Sequence, residues 1–225
     1  MVTSRLPFAI SKEESFYQAL NNWIGDVFYD ILPEKGFELR DEQIFMAFQL
    51  ERAYQEKKVM FAEAGVGTGK TIVYLLYALA YARYTGKPAI IACADETLIE
   101  QLVKQEGDIA KLSRTLDIDM DVRLSKSHSQ YLCLNKLDDV LQKTGEDKYL
   151  DVYQSLPSFV HENGGMQQFT PYGDRKQFSD LSDDEWYKIG WDPFQDCFTC
   201  SKRHRCGLTL SRDHYRKATD IIVCS

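Results

Sequence analysis

Residues 64–71 read Ala-Gly-Val-Gly-Thr-Gly-Lys-Thr, a run whose residue types suit the holding of phosphate. Gly65, Gly67 and Gly69 permit backbone angles that aim successive N–H groups at phosphate oxygens. Lys70 can reach β- and γ-phosphates, and the Thr71 hydroxyl can ligate Mg²⁺. The pattern Ala64-x-x-x-x-Gly69-Lys70-Thr71 fits a Walker A loop with Ala64 in place of the first glycine. The candidate ATP site is therefore Ala64, Gly65, Val66, Gly67, Thr68, Gly69, Lys70 and Thr71, with Lys70 and Thr71 as its catalytic candidates. Such a loop indicates nucleotide binding but not what hydrolysis would drive.

A second cluster carries sulfur. Cys197-x2-Cys200-x5-Cys206 is compact, and Cys133 lies upstream. Four thiolates can close a tetrahedral Zn²⁺ site or hold a [4Fe–4S] cluster, and spacing alone does not choose between them. His128 and His204 are possible substitute ligands. Cys93 and Cys224 lie in β-like apolar runs and read as small buried hydrophobes. Around the trio the charge turns positive, with Lys202, Arg203, Arg205, Arg212, Arg216 and Lys217. Trp191, Phe194, Phe198 and Tyr215 are interleaved with them. Cations mixed with aromatic rings suit single-stranded nucleic acid, where phosphates pair and bases stack. A plain solvated basic face is the competing explanation.

The elements that must position these groups follow from patterning. Residues 11–32 show apolar positions at spacings of three and four, with Ser11 and Glu14 as a capping box. Residues 40–56 form a second helical pattern. A strand over Val59–Ala62 leads into the glycine loop, and a helix from Lys70 to about Tyr84 leaves it. Ala89–Ala94 reads as a strand, 96–115 as a helix and Asp119–Leu124 as a third strand. Strands alternating with helices predict parallel βαβ units with right-handed crossovers. Residues 126–215 have weak strand signal, with turns at Asn163-Gly164-Gly165 and Thr170–Gly173, and Thr219–Cys224 returns to a β-like run. The fold class expected is α/β, with a mainly helical, Cys-rich insertion between two strands of one sheet.

The 225 residues are 44% apolar, enough to bury a core. The net charge of −7 excludes a chain basic over its whole surface but not a local basic groove. No apolar run is long enough to cross a bilayer, and no signal-peptide layout opens the chain, so a cytoplasmic location without membrane contact is expected. Disulfides are then not expected.

These motifs, taken together, resemble one family. Glu63-Ala-Gly-Val-Gly-Thr-Gly-Lys-Thr71 resembles the Walker A motif of the XPD/DinG group of superfamily 2 helicases. Lys126-Ser-His-Ser-Gln-Tyr-Leu-Cys133 is similar to that family's approach to its first cluster cysteine, and the long gap before the Cys trio is its arrangement too. The bacterial DinG-like branch matches best. The resemblance implies a RecA-like P-loop sheet, incomplete here, with a [4Fe–4S] insertion in the first motor domain. It divides the chain into an N-terminal helical segment 1–36, the first part of the motor domain 37–125, the cluster insertion 126–215 and a return strand 216–225. It implies ATP, Mg²⁺ and the cluster as cofactors, with Cys133, Cys197, Cys200 and Cys206 as cluster ligands. It also implies 5′→3′ movement on single-stranded DNA, opening of forked duplexes, a role in DNA repair and a monomer. RNA stays open as a strand.

Phe37-Glu-Leu-Arg-Asp-Glu-Gln43 resembles the motif whose Gln helps read adenine, which makes Gln43 the candidate. Ala92–Leu102 sits at the family's DNA-contacting motif Ia, where Thr97, Leu98 and Gln101 match loosely and Ala94, Asp95 and Glu96 depart from it. The family's Asp-Glu-Ala-His motif and second motor domain are not in this sequence, so the resemblance implies a fragment that does not unwind DNA alone. Two other readings stay open. One is a non-catalytic zinc- or cluster-stabilised nucleic-acid-binding module; the other is a different P-loop enzyme such as a small kinase.

Overall fold

The computed structural model describes residues 5–65, 67–162 and 168–225. Val66 of the glycine loop and the turn at Asn163–Gly165 lie outside the described residues. The chain divides into two compact units, one ending at Leu124 and resuming at Ala218, the other spanning Ser125–Lys217.

In the first unit, α1 (Phe16–Asp26) begins later than the patterning suggests. The capping box is formed by Ser15 and Gln18, whose side chains exchange bonds with each other's backbone N–H at 3.3 and 2.9 Å. Ser11 and Glu14 make only a turn, and the Glu14 carboxylate accepts from Asn22 at 2.7 Å. The helix widens into a π-helical turn at Val27–Ile31 before α2 (Leu32–Glu34), and the Leu32 N–H bonds the Val27 carbonyl. That wider turn keeps Val27, Phe28 and Leu32 in the core.

Next come α3 (Asp41–Glu56) and α4 (Lys70–Thr85). Helix α4 buries Val73, Leu75, Leu76, Leu79 and Ala80 completely, so its apolar surface serves more than one neighbour. It packs against α3, where the Tyr77 hydroxyl donates to the Ala47 carbonyl at 2.9 Å, and against the sheet.

The sheet has three strands among the described residues: β1 (Ala89–Ala92), β2 (Val122–Ser125) and β3 (Ile221–Cys224), in the order β1-β3-β2. Strands β1 and β3 run parallel, with Ala89 opposite Ile221 and Ile91 opposite Val223. Between β1 and β2 the expected single helix is two, α5 (Glu96–Val103) and α6 (Asp108–Leu116). Gly107 explains the break: a Cβ there would come within 2.7 Å of the Gln101 and Leu102 carbonyls. The expected strand over Val59–Ala62 is not formed. Val59 and Phe61 are 84% and 96% exposed, and β pairing needs a partner strand that none of the three supplies.

Asp220, fully buried at the head of β3, fastens this unit. Its carboxylate accepts from Arg83 Nε and Nη2, each at 3.0 Å, from the Asp121 N–H at 2.9 Å and from Arg5 at 3.4 Å. Arg83 also donates to the Arg5 and Asp119 carbonyls. The C-terminal turn of α4 is thereby tied to the strand ends.

The second unit has a core of its own, with Leu137, Tyr149 and Ile189 completely buried. It is helical: α7 (Leu134–Thr144), α8 (Asp147–Gln154), α9 (Ser158–His161), α10 (Asp183–Ile189) and α11 (Gly207–Tyr215). Two antiparallel bridges, Tyr131 with Asp174 and Leu132 with Gly190, hold its connecting segments.

Candidate nucleotide site and cysteine cavity

The glycine loop ends where α4 begins, so the positive end of that helix faces the loop. Gly67 and Gly69 adopt φ of +81° and +73°, the left-handed region that side chains rarely enter. Gly69 is constrained twice, because a Cβ on it would fall 2.0 Å from Gln43 Nε2. Gln43 is buried and donates from that nitrogen to the Gly69 carbonyl at 3.2 Å. The structure thus brings Gln43 to the loop, as a brace on its last glycine.

Lys70 Nζ donates to the Ala64 and Gly65 carbonyls at 3.0 and 3.2 Å, and the Thr68 hydroxyl donates to Gly65 at 3.0 Å. The ammonium therefore sits inside the curve of the loop, on carbonyls it can exchange for phosphate oxygens. A cleft of about 470 Å³ opens beside Lys70 and Thr71, walled by Tyr74, β1 and Asp108. Gln101 and Leu98 of α5 also line it. Asp95 caps that helix, accepting from the Leu98 N–H at 2.9 Å.

In the second unit, Cys133, Cys197, Cys200 and Cys206 line one cavity. All four are free thiols. Cys133 stands at the N-cap of α7 and Cys206 at the N-cap of α11, so two helix N-termini point at sulfur. Other N–H groups face the remaining sulfurs, with Trp191 Nε1 3.2 Å from Cys197 Sγ and Asn135 Nδ2 3.4 Å from Cys200 Sγ. Burial pushes the Cys133 and Cys206 thiols up, against the pull of backbone N–H groups from Asn135, Lys136, Leu208 and Thr209. The balance favours neutral thiols when no cation is near, whereas a bound metal would deprotonate them outright. Gly207 is required beside Cys206, because a Cβ there would meet the Tyr172 carbonyl at 2.3 Å.

Among the described residues, no group of three or more His, Cys, Asp or Glu side chains is arranged to hold a metal ion. Neither His128 nor His204 lines the cavity: His128 stacks edge-on against Trp191, at 5.0 Å between centroids, and His204 is exposed.

The basic run is resolved into two kinds of residue. Lys202 pairs with Asp138, and Arg205 donates to the Val160 carbonyl at 2.7 Å. Arg203, Arg212 and Arg216 instead line a second cleft, with Phe198. Phe194 and Phe198 are 92% and 83% exposed. Sequence reasoning missed Trp191 and Asn135 as partners of the sulfurs. An indole N–H close to a Cys trio is the one local signal that could have shown the first.

The glycine loop at the head of α4 and the three-stranded sheet make the first unit a mixed α/β fold of P-loop-like kind. No family model matches the chain. It is 72% identical over all 225 residues to the probable ATP-dependent helicase YpvA of Bacillus subtilis, and covers 35% of that protein. It is 38% identical over 107 residues, 48% of the chain, to the ATP-dependent DNA helicase YoaA of Haemophilus influenzae, covering 16% of it. It is 28% identical over 187 residues, 80% of the chain, to the 3'-5' exonuclease DinG of Bacillus subtilis, covering 20% of it. The chain thus spans about a third or less of the length of these relatives. It is thus similar to proteins named as ATP-dependent helicases and to DinG, in keeping with the resemblance of the motif at Glu63–Thr71. Among the described residues, no helix is long and apolar enough to cross a membrane.

Proposed function

We propose that this chain supplies the ATP-binding part of a cytoplasmic DNA helicase that tracks 5′→3′ on single-stranded DNA and opens forked duplexes as a monomer. The observation that carries the reading is the loop itself, with Lys70 folded onto the Ala64 and Gly65 carbonyls at the head of α4. Lys70 would hold the β- and γ-phosphates, Thr71 the Mg²⁺, and Gln43 the adenine end. The helicase names of two relatives support this activity; polarity rests on the family resemblance.

Cys133, Cys197, Cys200 and Cys206 would hold a [4Fe–4S] cluster. The donor chemistry fits, with sulfurs faced by N–H groups and by two helix N-termini. A single Zn²⁺ needs four ligands about 2.3 Å from one point. A cluster spreads its ligands over several irons, which suits thiols arranged around a cavity. When bound, it would cross-link Cys133 at the head of α7 to the 197–206 segment.

The test is unwinding by the full-length protein of duplexes with either a 5′ or a 3′ single-stranded tail. ATP-dependent opening of the 5′-tailed substrate is expected. Opening of the 3′-tailed substrate alone would overturn the polarity, and no ATP-dependent opening of either would overturn the helicase reading.

A further inference from the structure

We infer that the groove between α1 and α3 docks a basic amphipathic helix of a partner protein. The helix would set its apolar face on Tyr29, Ile44 and Phe48 and its cations toward Asp26 and Asp30. The inference stands apart from the nucleotide site and from the helicase reading.

Charge is the first indication. Residues 13–51 carry nine acidic and two basic side chains, a net of −7. The rest of the chain holds twenty-five of each sign, so this one segment carries the whole negative excess. It builds α1, the π-helical turn and most of α3. Such a face repels the phosphates of a nucleic acid and attracts cationic partners. Asp26 and Asp30 are exposed and have no ion-pair partner among the described residues. Asp30 and Glu34 stand in the last turns of the helical run, where the dipole disfavours anions, so helix stability does not account for them.

The same face is concave and apolar at its floor. A groove of about 430 Å³ runs between α1 and α3, with buried Ile24, Phe28 and Ala47 beneath it. Tyr29 and Phe48 on its walls are each 57% exposed. A second hollow, of about 390 Å³ with Glu13 and Glu14 on it, shares Asn21 and Asn22 with the first. Together they follow α1 and its π-helical turn for roughly 20 Å, or about four turns of helix. An apolar groove of that length takes a helix through anchors at i, i+3, i+4 and i+7.

Gly25, which lines the groove, is the observation that points outside the chain. Glycine inside a helix is destabilising relative to alanine. A Cβ built on Gly25 meets nothing within 4 Å, so no neighbour among the described residues requires its absence. The bland explanation is that Gly25 eases the wider turn at Val27–Ile31. It fails because Gly25 is not among the glycines with positive φ, and alanine adopts the helical angles as readily. A bare backbone on the wall of a groove lets a second backbone come close.

The test is binding of labelled four-turn peptides to the full-length protein, read by fluorescence anisotropy. One peptide carries leucines at helical spacing with lysines on the flanks. A second has the same composition scrambled, and a third has glutamate for each lysine. The first should bind, less tightly as salt rises, and the other two should not. Gly25→Leu fills the groove and should cut affinity about tenfold or more. Its thermal stability should equal or exceed that of wild type, which separates a blocked groove from lost folding. Asp26→Lys with Asp30→Lys should also cut affinity about tenfold or more, and should transfer binding to the glutamate peptide. Equal binding of the scrambled peptide, or affinity unchanged in Gly25→Leu, would overturn the groove. So would absence of peptide binding by the full-length protein, which would mean that the rest of that protein covers this face. Self-association that Gly25→Leu abolishes would make a second copy the occupant and overturn the proposed partner. None of these results would bear on the helicase reading.

Discussion

Replacing Asp220 by Asn tests the clasp that holds the sheet to α4. Asp220 is fully buried and Arg83 is 9% exposed, so water screens neither charge appreciably. The substitution removes the counter-charge from two 3.0 Å contacts and leaves the guanidinium buried beside a neutral amide. Removing one partner of such a pair costs about 3–5 kcal/mol. Arg5, 54% exposed on its side chain, adds little to the total. At 1.36 kcal/mol per decade, opening of the sheet should become roughly two to four orders of magnitude more frequent. Amide hydrogen exchange reads this locally, at the N–H groups of Ala89, Cys93 and Ile221, which bond to Asp220, Cys224 and Asp121. Exchange at helix α7 in the second unit serves as the internal reference. Replacing both partners by apolar residues, Arg83→Met with Asp220→Leu, should recover much of the loss. Protection in Asp220→Asn within about threefold of wild type would refute the assignment of the clasp as a stabilising buried pair.

Three further outcomes follow from single residues. The Tyr149 hydroxyl is buried without a hydrogen-bond partner among the described residues, so Tyr149→Phe should be neutral or stabilising by up to about 1–2 kcal/mol in urea unfolding. Lys148 and the Ser182 N–H and hydroxyl hold the Glu185 carboxyl down to about 2 from an ordinary 4.5. Its stabilising effect is present above about 4.5 and is lost as pH falls through 2, so Glu185→Gln should remove that part of the acid-unfolding slope. Gly69→Ala must enter the left-handed region and displace Gln43, so nucleotide affinity should fall, and restoring space with Gln43→Ala should recover it only in part.

Much of the first unit is legible in the sequence because its signals are local. The apolar spacing marks α3, and the glycines at 69 and 86 bound α4. The capping box was misplaced because Ser11-x-x-Glu14 and Ser15-x-x-Gln18 satisfy the same rule; packing of Phe16 and Leu20 decides between them. The break at Gly107 depends on carbonyls of the preceding helix crowding its Cα, which patterning does not show. Val59–Ala62 has strand-like residues, but strand formation is a property of a pair. The Arg83–Asp220 clasp joins residues 137 apart and has no local signature. At the sites, glycine spacing marked the loop by itself. The family resemblance singled out Gln43 as an adenine reader, whereas its hydrogen bond to the Gly69 carbonyl needed the fold. The division of the basic run into Lys202, paired with Asp138, and Arg203, Arg212 and Arg216 around one cleft needed the fold.

The central claim, that the loop ending at Lys70 and Thr71 powers movement along a strand, is tested most directly by strand-stimulated ATP hydrolysis in the full-length protein and in its Lys70→Ala variant. The account predicts hydrolysis stimulated by single-stranded DNA in the wild type. In Lys70→Ala it predicts a fall of about 10²-fold or more. Near-wild-type turnover in Lys70→Ala would contradict it.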